Sequence, residues 1–308
     1  MNEPIPVVLA ADEGYAMQLA VALASIATAP GGSPCSAYVL NDGIAHDVKR
    51  RVEKSGHGRV DVEWITVDPR ALGSARTDAR LPPSTLYRLL MPDVLPAEVD
   101  RVIYLDCDLI VRRDLGALWG LPLDGAPCAA VRDARIVSIG APGGPPWRAL
   151  GVDPMIPHFN AGVMLAELDA WRQDDVGPRA LEMLCSVAIP QLDQGALNAV
   201  FAGRWLRLPP TWNLQGSHFI HRNNLAWTVE PTDELEAAYA DPAIVHFSGL
   251  SKPWNPRCTH PYRDDWFAAL QQTAWAGWTP PRAILRRSVG RARRAIETLA
   301  GSRSTVGH

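Results

Sequence analysis

The chain has 308 residues, 47% hydrophobic and 20% charged, with 30 basic against 33 acidic side chains. That composition excludes long low-complexity disorder and a collagen repeat, and suits one large α/β domain with additions or two domains. The net charge of −3 divides unevenly: seven Arg and one Glu in 282–308 give +6, so residues 1–281 carry −3 − 6 = −9, which argues against a nucleic-acid surface on the main body.

The first hundred residues alternate between strand and helix signals. A β-branched and apolar run at 7–11 ends at Asp12, and 16–28 carries Leu19, Leu23 and Ile26 at helical spacing. The run 16–29 has the length of a signal-peptide core, yet the first basic residue is Lys49, and Glu3, Asp12 and Glu13 precede the run. It reads as a buried helix. Residues 35–40 form a second strand signal closed by Asn41-Asp42-Gly43, 45–54 a polar surface helix, and 60–67 a third strand. Ser84 can cap a helix over 85–91 that stops near Pro92, and 101–105 is the next strand. This alternation implies a largely parallel sheet with helices on both faces, whose ligands sit beyond the strand carboxyl ends.

Past residue 120 the pattern loosens. The Gly/Pro-rich stretch 140–147 reads as a loop and a candidate flap, 158–168 as a strand, and 176–188 and 193–202 as helices. Residues 205–262 are rich in Trp, Pro and Asn without clear period. No run of 18 apolar residues marks a membrane span. Five Cys without a C-x-x-C pair argue against a disulfide framework and a Cys-based zinc module, and suit a reducing cytoplasm.

Asp106-Cys107-Asp108 interrupts the apolar run RVIYLDCDLIV. In extended backbone, residues i and i+2 share a side, so two carboxylates come together and a divalent cation would relieve them. The alternative is a strand ending at Asp106 with solvated side chains. His246 closes a short apolar run and, alone, reads more readily as a packed or hydrogen-bonded residue than as a ligand. With the two aspartates it makes a mixed oxygen and nitrogen set that suits Mn²⁺. Lys252, near Gly249, is a natural partner for a phosphate oxygen. Asn160 with Gly162, and Asp193-Gln194, are polar groups beside apolar runs, where Asp193 could also be a helix N-cap. No G-x-G-x-x-G, G-x-x-x-x-G-K-[ST] or G-x-S-x-G occurs, which removes the main support for dehydrogenase, phosphate-loop and α/β-hydrolase readings.

Five ordered blocks resemble glycosyltransferase family 8, the retaining GT-A enzymes, and most of all the bacterial lipopolysaccharide α-galactosyltransferases and glucosyltransferases. They are VVLAADEGY (7–15), LYRLLMPDVL (86–95), VIYLDCDLIVRRDL (102–115), FNAGVMLAELDAWR (159–172) with LDQGALN (192–198), and VHFSGLSKPW (245–254). The resemblance implies a GT-A fold, Rossmann-like, with a mixed, mostly parallel sheet over residues 1–267. A Trp- and Arg-rich helical tail over 268–308 follows it. It implies that Ala10, Ala11, Asp12 and Tyr15 hold the uridine of a UDP-hexose and that Arg88 lies over the diphosphate or sugar. Asp106, Asp108 and His246 would ligate Mn²⁺, with Mg²⁺ as a second choice, and Gly249 and Lys252 would contact the diphosphate. Asp133, Asn160, Asp193 and Gln194 would line the hexose and the reacting carbon. The acceptor would be a glycan, a glycolipid or another hydroxyl-bearing molecule.

Two departures stand out: Gly14 occupies a position where many relatives carry Asn, and the 140–147 flap is unlike theirs. Retention requires a covalent nucleophile or same-face attack. Gln194 is a poor nucleophile, which favours same-face attack, with Asp193 as the covalent alternative and Lys252 aiding the leaving group. Other readings are a catalytically silent sugar-nucleotide or glycan binder and a UDP-sugar hydrolase. In 282–300, Leu285, Val289, Ala292, Ile296 and Leu299 recur at helical spacing among Arg. With Trp275 and Trp278 before it, this segment reads as an amphipathic helix for the anionic cytoplasmic face of a membrane; a helix docked on the body or a dimer contact would share the pattern.

Overall fold

The computed structural model describes residues 3–75, 82–221 and 230–281. Seven strands build the main sheet: β1 (Ile5–Ala10), β2 (Cys35–Asn41), β3 (Val60–Thr66), β4 (Arg101–Leu105), β6 (Cys128–Arg132), β7 (Phe159–Glu167) and β8 (Leu206–Arg207). Their order is β3-β2-β1-β4-β7-β6-β8. β5 (Leu109–Val111), β9 (Leu214–Gln215) and β10 (Ile244–His246) form a second sheet in the order β5-β10-β9. In the main sheet β1 through β4 pair in parallel, and β7 runs antiparallel to both β4 and β6. The sheet is therefore mixed and mostly parallel.

Both of its faces are covered. Val7 and Leu9 enter one apolar cluster with the Ala16–Thr28 helix, whereas Val8 enters another with segments 86–95 and 168–201. Alternate residues of one strand thus serve two cores, which is why β1 reads as an unbroken apolar run. The Ala16–Thr28 helix is apolar on nearly every side and almost wholly buried, as such a helix must be.

Two local readings change. Residues Pro83–Leu90 form a 3-10 helix whose N-cap is Pro82, and Ser84 is buried within it without capping. The α-helical turn begins only at Met91–Val94; Pro92 has no N–H, so the bond an α-helix would make back to Arg88 cannot form. Asp106–Asp108 is a bend and not extended strand: β4 stops at Leu105, and β5 starts the second sheet at Leu109.

The body continues past 267. The Arg263–Leu270 helix crosses that position, and Leu270 is buried in a third cluster with Val21, Ile110 and Trp266. Trp275 and Trp278 pack partly buried against the same cluster, and Arg51 stacks on the Trp275 ring at 4.2 Å. The segment 282–300 lies outside the described residues. Among the described residues, no helix is long and apolar enough to cross a membrane.

Candidate active site

The bend at Asp106–Asp108 is the junction of the two sheets. Asp106 N–H still bonds the main sheet, donating to Gly162 O at 2.8 Å, while Asp108 O accepts from Phe247 N at 2.9 Å in the second. The antiparallel register of β5 and β10 sets His246 opposite Leu109, the residue after Asp108. Three side chains distant in sequence converge for this reason. Each of Asp106, Asp108 and His246 offers one ligand atom, all within 4.8 Å of one another. His246 Nε2 lies 3.2 Å from Asp108 Oδ1 and 3.7 Å from Asp106 Oδ2. Two carboxylate oxygens and one imidazole nitrogen at this spacing fit a divalent cation that accepts mixed ligands. Gly162 makes the approach possible, since a Cβ there would sit 2.3 Å from His246 Cε1 and 2.7 Å from Asp106 Oδ2.

The outer carboxylate oxygens face cations. Asp108 Oδ2 pairs with Lys252 Nζ, which also donates to Phe247 O at 2.7 Å. Burial would push Asp108 up, but Lys252 and His246 outweigh it and hold the carboxyl well below its usual range. Asp106 Oδ1 accepts from Arg88 Nη2 at 2.8 Å and from the Tyr104 hydroxyl at 3.1 Å. Arg88 is buried: its Nε pairs with Asp193 Oδ2 at 2.6 Å and its Nη1 donates to Ala161 O at 2.7 Å. The guanidinium thus ties down two carboxylates and a carbonyl. Burial raises Asp193 to about 6 against the pull of Arg88. Asp193 is not a helix cap; Gln191 holds that position before Leu192–Phe201.

The remaining polar residues form one chain of hydrogen bonds. Gln194 Oε1 accepts from Ala161 N at 3.1 Å, and its Nε2 donates to Asp133 Oδ2 at 2.9 Å. Asn160 Nδ2 donates to the same oxygen at 3.2 Å, and Asn160 Oδ1 accepts from Asn213 Nδ2 at 2.9 Å. Asn213 Oδ1 faces His246 Nδ1 at 3.0 Å. At the end of β1, Ala10 O accepts from Cys107 Sγ at 3.3 Å, and Ala11 is buried beside it. Asp12 accepts from Tyr15 N at 3.0 Å, capping a turn at Glu13–Tyr15. Burial raises the Tyr15 phenol, and the negative charges of Asp108, Asp106 and Asp12 add to the rise. Its ring meets Trp254 edge-on at 6.0 Å.

The structure therefore links Arg88, Asp106, Asp108, Asp133, Asn160, Asp193, Gln194, His246 and Lys252 in one connected cluster, with Ala10, Ala11, Asp12 and Tyr15 at its edge. Gly249, at φ +81, stands on the loop leading to Lys252 and is not bonded into the cluster. Sequence reasoning missed Tyr104 and Asn213. A polar residue set between two apolar ones, as in Trp212-Asn213-Leu214, was the available signal for the second.

The sequence profile described as Glycosyl transferase family 8 matches residues 6–258. General stress protein A of Bacillus subtilis is 29% identical over 89% of this chain and 96% of its own length. The lipopolysaccharide 1,2-glucosyltransferase of Escherichia coli is 25% identical over 79% of this chain and 70% of its own. Several streptococcal glycosyltransferases also match, but the chain spans only 26% to 60% of their length. Among solved structures, an active-site mutant of LgtC superposes with a TM-score of 0.74 at 25% identity, covering 88% of this chain and 96% of that one.

The Arg88 pairing makes a measurable demand. Replacing Arg88 by Met leaves two carboxylates without their cation, one of them deeply buried, and should cost about 3–5 kcal/mol of stability at pH 8. Asp193 holds a proton below about 6, so its charge penalty fades and the loss should shrink at pH 5. Urea denaturation of both proteins at the two pH values checks this; an equal loss at both contradicts it.

Proposed function

The chain belongs to glycosyl transferase family 8, and from that premise we propose that it moves a hexose, glucose or galactose, from a UDP-sugar to a hydroxyl of a glycan or glycolipid with retention of configuration. One observation carries the reading: Asp106, Asp108 and His246 converge beside Lys252 at the carboxyl end of the central strands, where sheets of this type take their ligands. A divalent cation bound there, Mn²⁺ before Mg²⁺, would supply positive charge to the departing diphosphate.

The chain's own groups do the rest. Lys252 Nζ, held by Asp108 Oδ2 and Phe247 O, is a cation at this mouth and donates to a diphosphate oxygen as the leaving group gains charge. The Gly249 backbone N–H, free of any Cβ beside it, lets the diphosphate approach closely. Ala10, Ala11, Asp12 and Tyr15 hold the uridine. Gln194, held by Ala161 and Asp133, keeps one amide hydrogen and one lone pair for a hexose hydroxyl or the reacting carbon. Asp193 is 3% exposed and paired to Arg88, which disfavours it as a covalent nucleophile. The acceptor hydroxyl then attacks from the face that the leaving group vacates, and a diphosphate oxygen takes its proton.

Incubation with UDP-glucose and UDP-galactose in the presence of Mn²⁺, read as UDP release, should reveal a donor. Asp108→Ala should lower the rate by about 10²- to 10³-fold, the scale of losing a principal electrostatic group. Equal rates for wild type and variant would reject the assignment. Attachment of 282–300 to the anionic cytoplasmic face of a membrane also belongs to this proposal and is supported by its sequence pattern. The full chain should co-sediment with phosphatidylserine vesicles and a chain ending at residue 280 should not; equal sedimentation contradicts it.

A further inference from the structure

We propose that Asn213 is a positioning residue for the candidate metal centre: it fixes His246 in the tautomer whose Nε2 lone pair faces the ion. The inference rests on the metal reading of Asp106, Asp108 and His246 proposed above.

Donors and acceptors along one chain of hydrogen bonds leave a single arrangement. The Gly162 backbone N–H can only donate, and it meets an Asn160 amide atom at 3.1 Å. That atom is therefore the oxygen. The Asn213 atom facing the same oxygen at 2.9 Å must then be its NH₂ group. What remains of the Asn213 amide is its oxygen, which faces His246 Nδ1 at 3.0 Å. An amide oxygen only accepts, so Nδ1 carries a proton, and Nε2 is the nitrogen left to offer a lone pair to an ion. The far end of the chain agrees. The Asn160 NH₂ donates to Asp133 Oδ2, while Asp133 Oδ1 accepts the backbone N–H groups of Arg135 and Ile136. Turning either amide over would set acceptor against acceptor among Asn160, Asn213 and His246, all of them buried.

Without Asn213 the proton has a reason to move. Asp108 Oδ1 lies 3.2 Å from Nε2, so an Nε2–H would find a carboxylate acceptor and point a hydrogen into the ligand position. Which ring nitrogen is protonated depends on the partner of the other. Asn213 directly precedes β9, whose parallel register sets Leu214 beside Val245 and Gln215 beside His246. The sheet thus holds the amide against the ring.

The test uses the full chain and two readouts. Free Mn²⁺ is followed by electron paramagnetic resonance during titration, and the His246 tautomer is read from long-range ¹H–¹⁵N spectra of the metal-free protein at pH 8. Asn213→Ala should move the proton from Nδ1 to Nε2 and weaken Mn²⁺ binding roughly ten- to a hundredfold. Asn213→Leu keeps the volume but neither the NH₂ nor the acceptor, and should move the proton and weaken Mn²⁺ binding in the same way. Either variant with an unchanged tautomer and affinity overturns the inference. Should Asn213→Ala fail to fold, Asn213→Leu decides by the same two outcomes. A wild-type protein that binds no Mn²⁺ refutes the metal reading, while the tautomer comparison still decides the role of Asn213.

Discussion

Three carboxylates, those of Asp106, Asp108 and Asp193, share one crevice, and the fold accepts them by setting cations against them. Two like charges about 4 Å apart repel by roughly 4 kcal/mol at an effective dielectric near 20, far more than a single surface contact returns. Arg88 bridges Asp106 and Asp193, and Lys252 covers the outer oxygen of Asp108. The inner oxygens still face each other across His246. That residual repulsion is what a divalent ion would remove, and the same positive charge suits a diphosphate leaving group. Stability and chemistry therefore draw on one electrostatic arrangement.

The two-sheet architecture explains why the arrangement assembles. Asp106 is held by its backbone to the main sheet and Asp108 to the second, so the bend between them has little freedom. His246 arrives through the register of β10 on β5, not through proximity in sequence. Gly162 lets the main sheet come close enough to support both.

Much of this was legible beforehand. The strands of the first hundred residues begin or end within about two residues of their expected positions, because buried parallel strands and an all-apolar helix leave strong periodic signals. The aspartate pair was visible, though for an incomplete reason, since the carboxylates converge through a bend and not along a strand. Pro92, which cannot donate back to Arg88, confined an expected α-helix to a 3-10 segment. Asn213 stayed hidden because β8 and β9 are two residues long, too short for any period, and its meaning comes from pairing with distant residues. The Arg88–Asp193 pair escaped notice for the same reason: long-range charge pairing leaves no local mark.

Anomalous diffraction from a crystal soaked in Mn²⁺ and UDP decides whether these three side chains hold an ion. A manganese peak is expected, bounded by Asp106 Oδ2, Asp108 Oδ1 and His246 Nε2, with diphosphate oxygens beside it and Lys252 Nζ shifted from Asp108 toward the diphosphate. A peak at other residues, or UDP bound with no manganese beside these three, would contradict it.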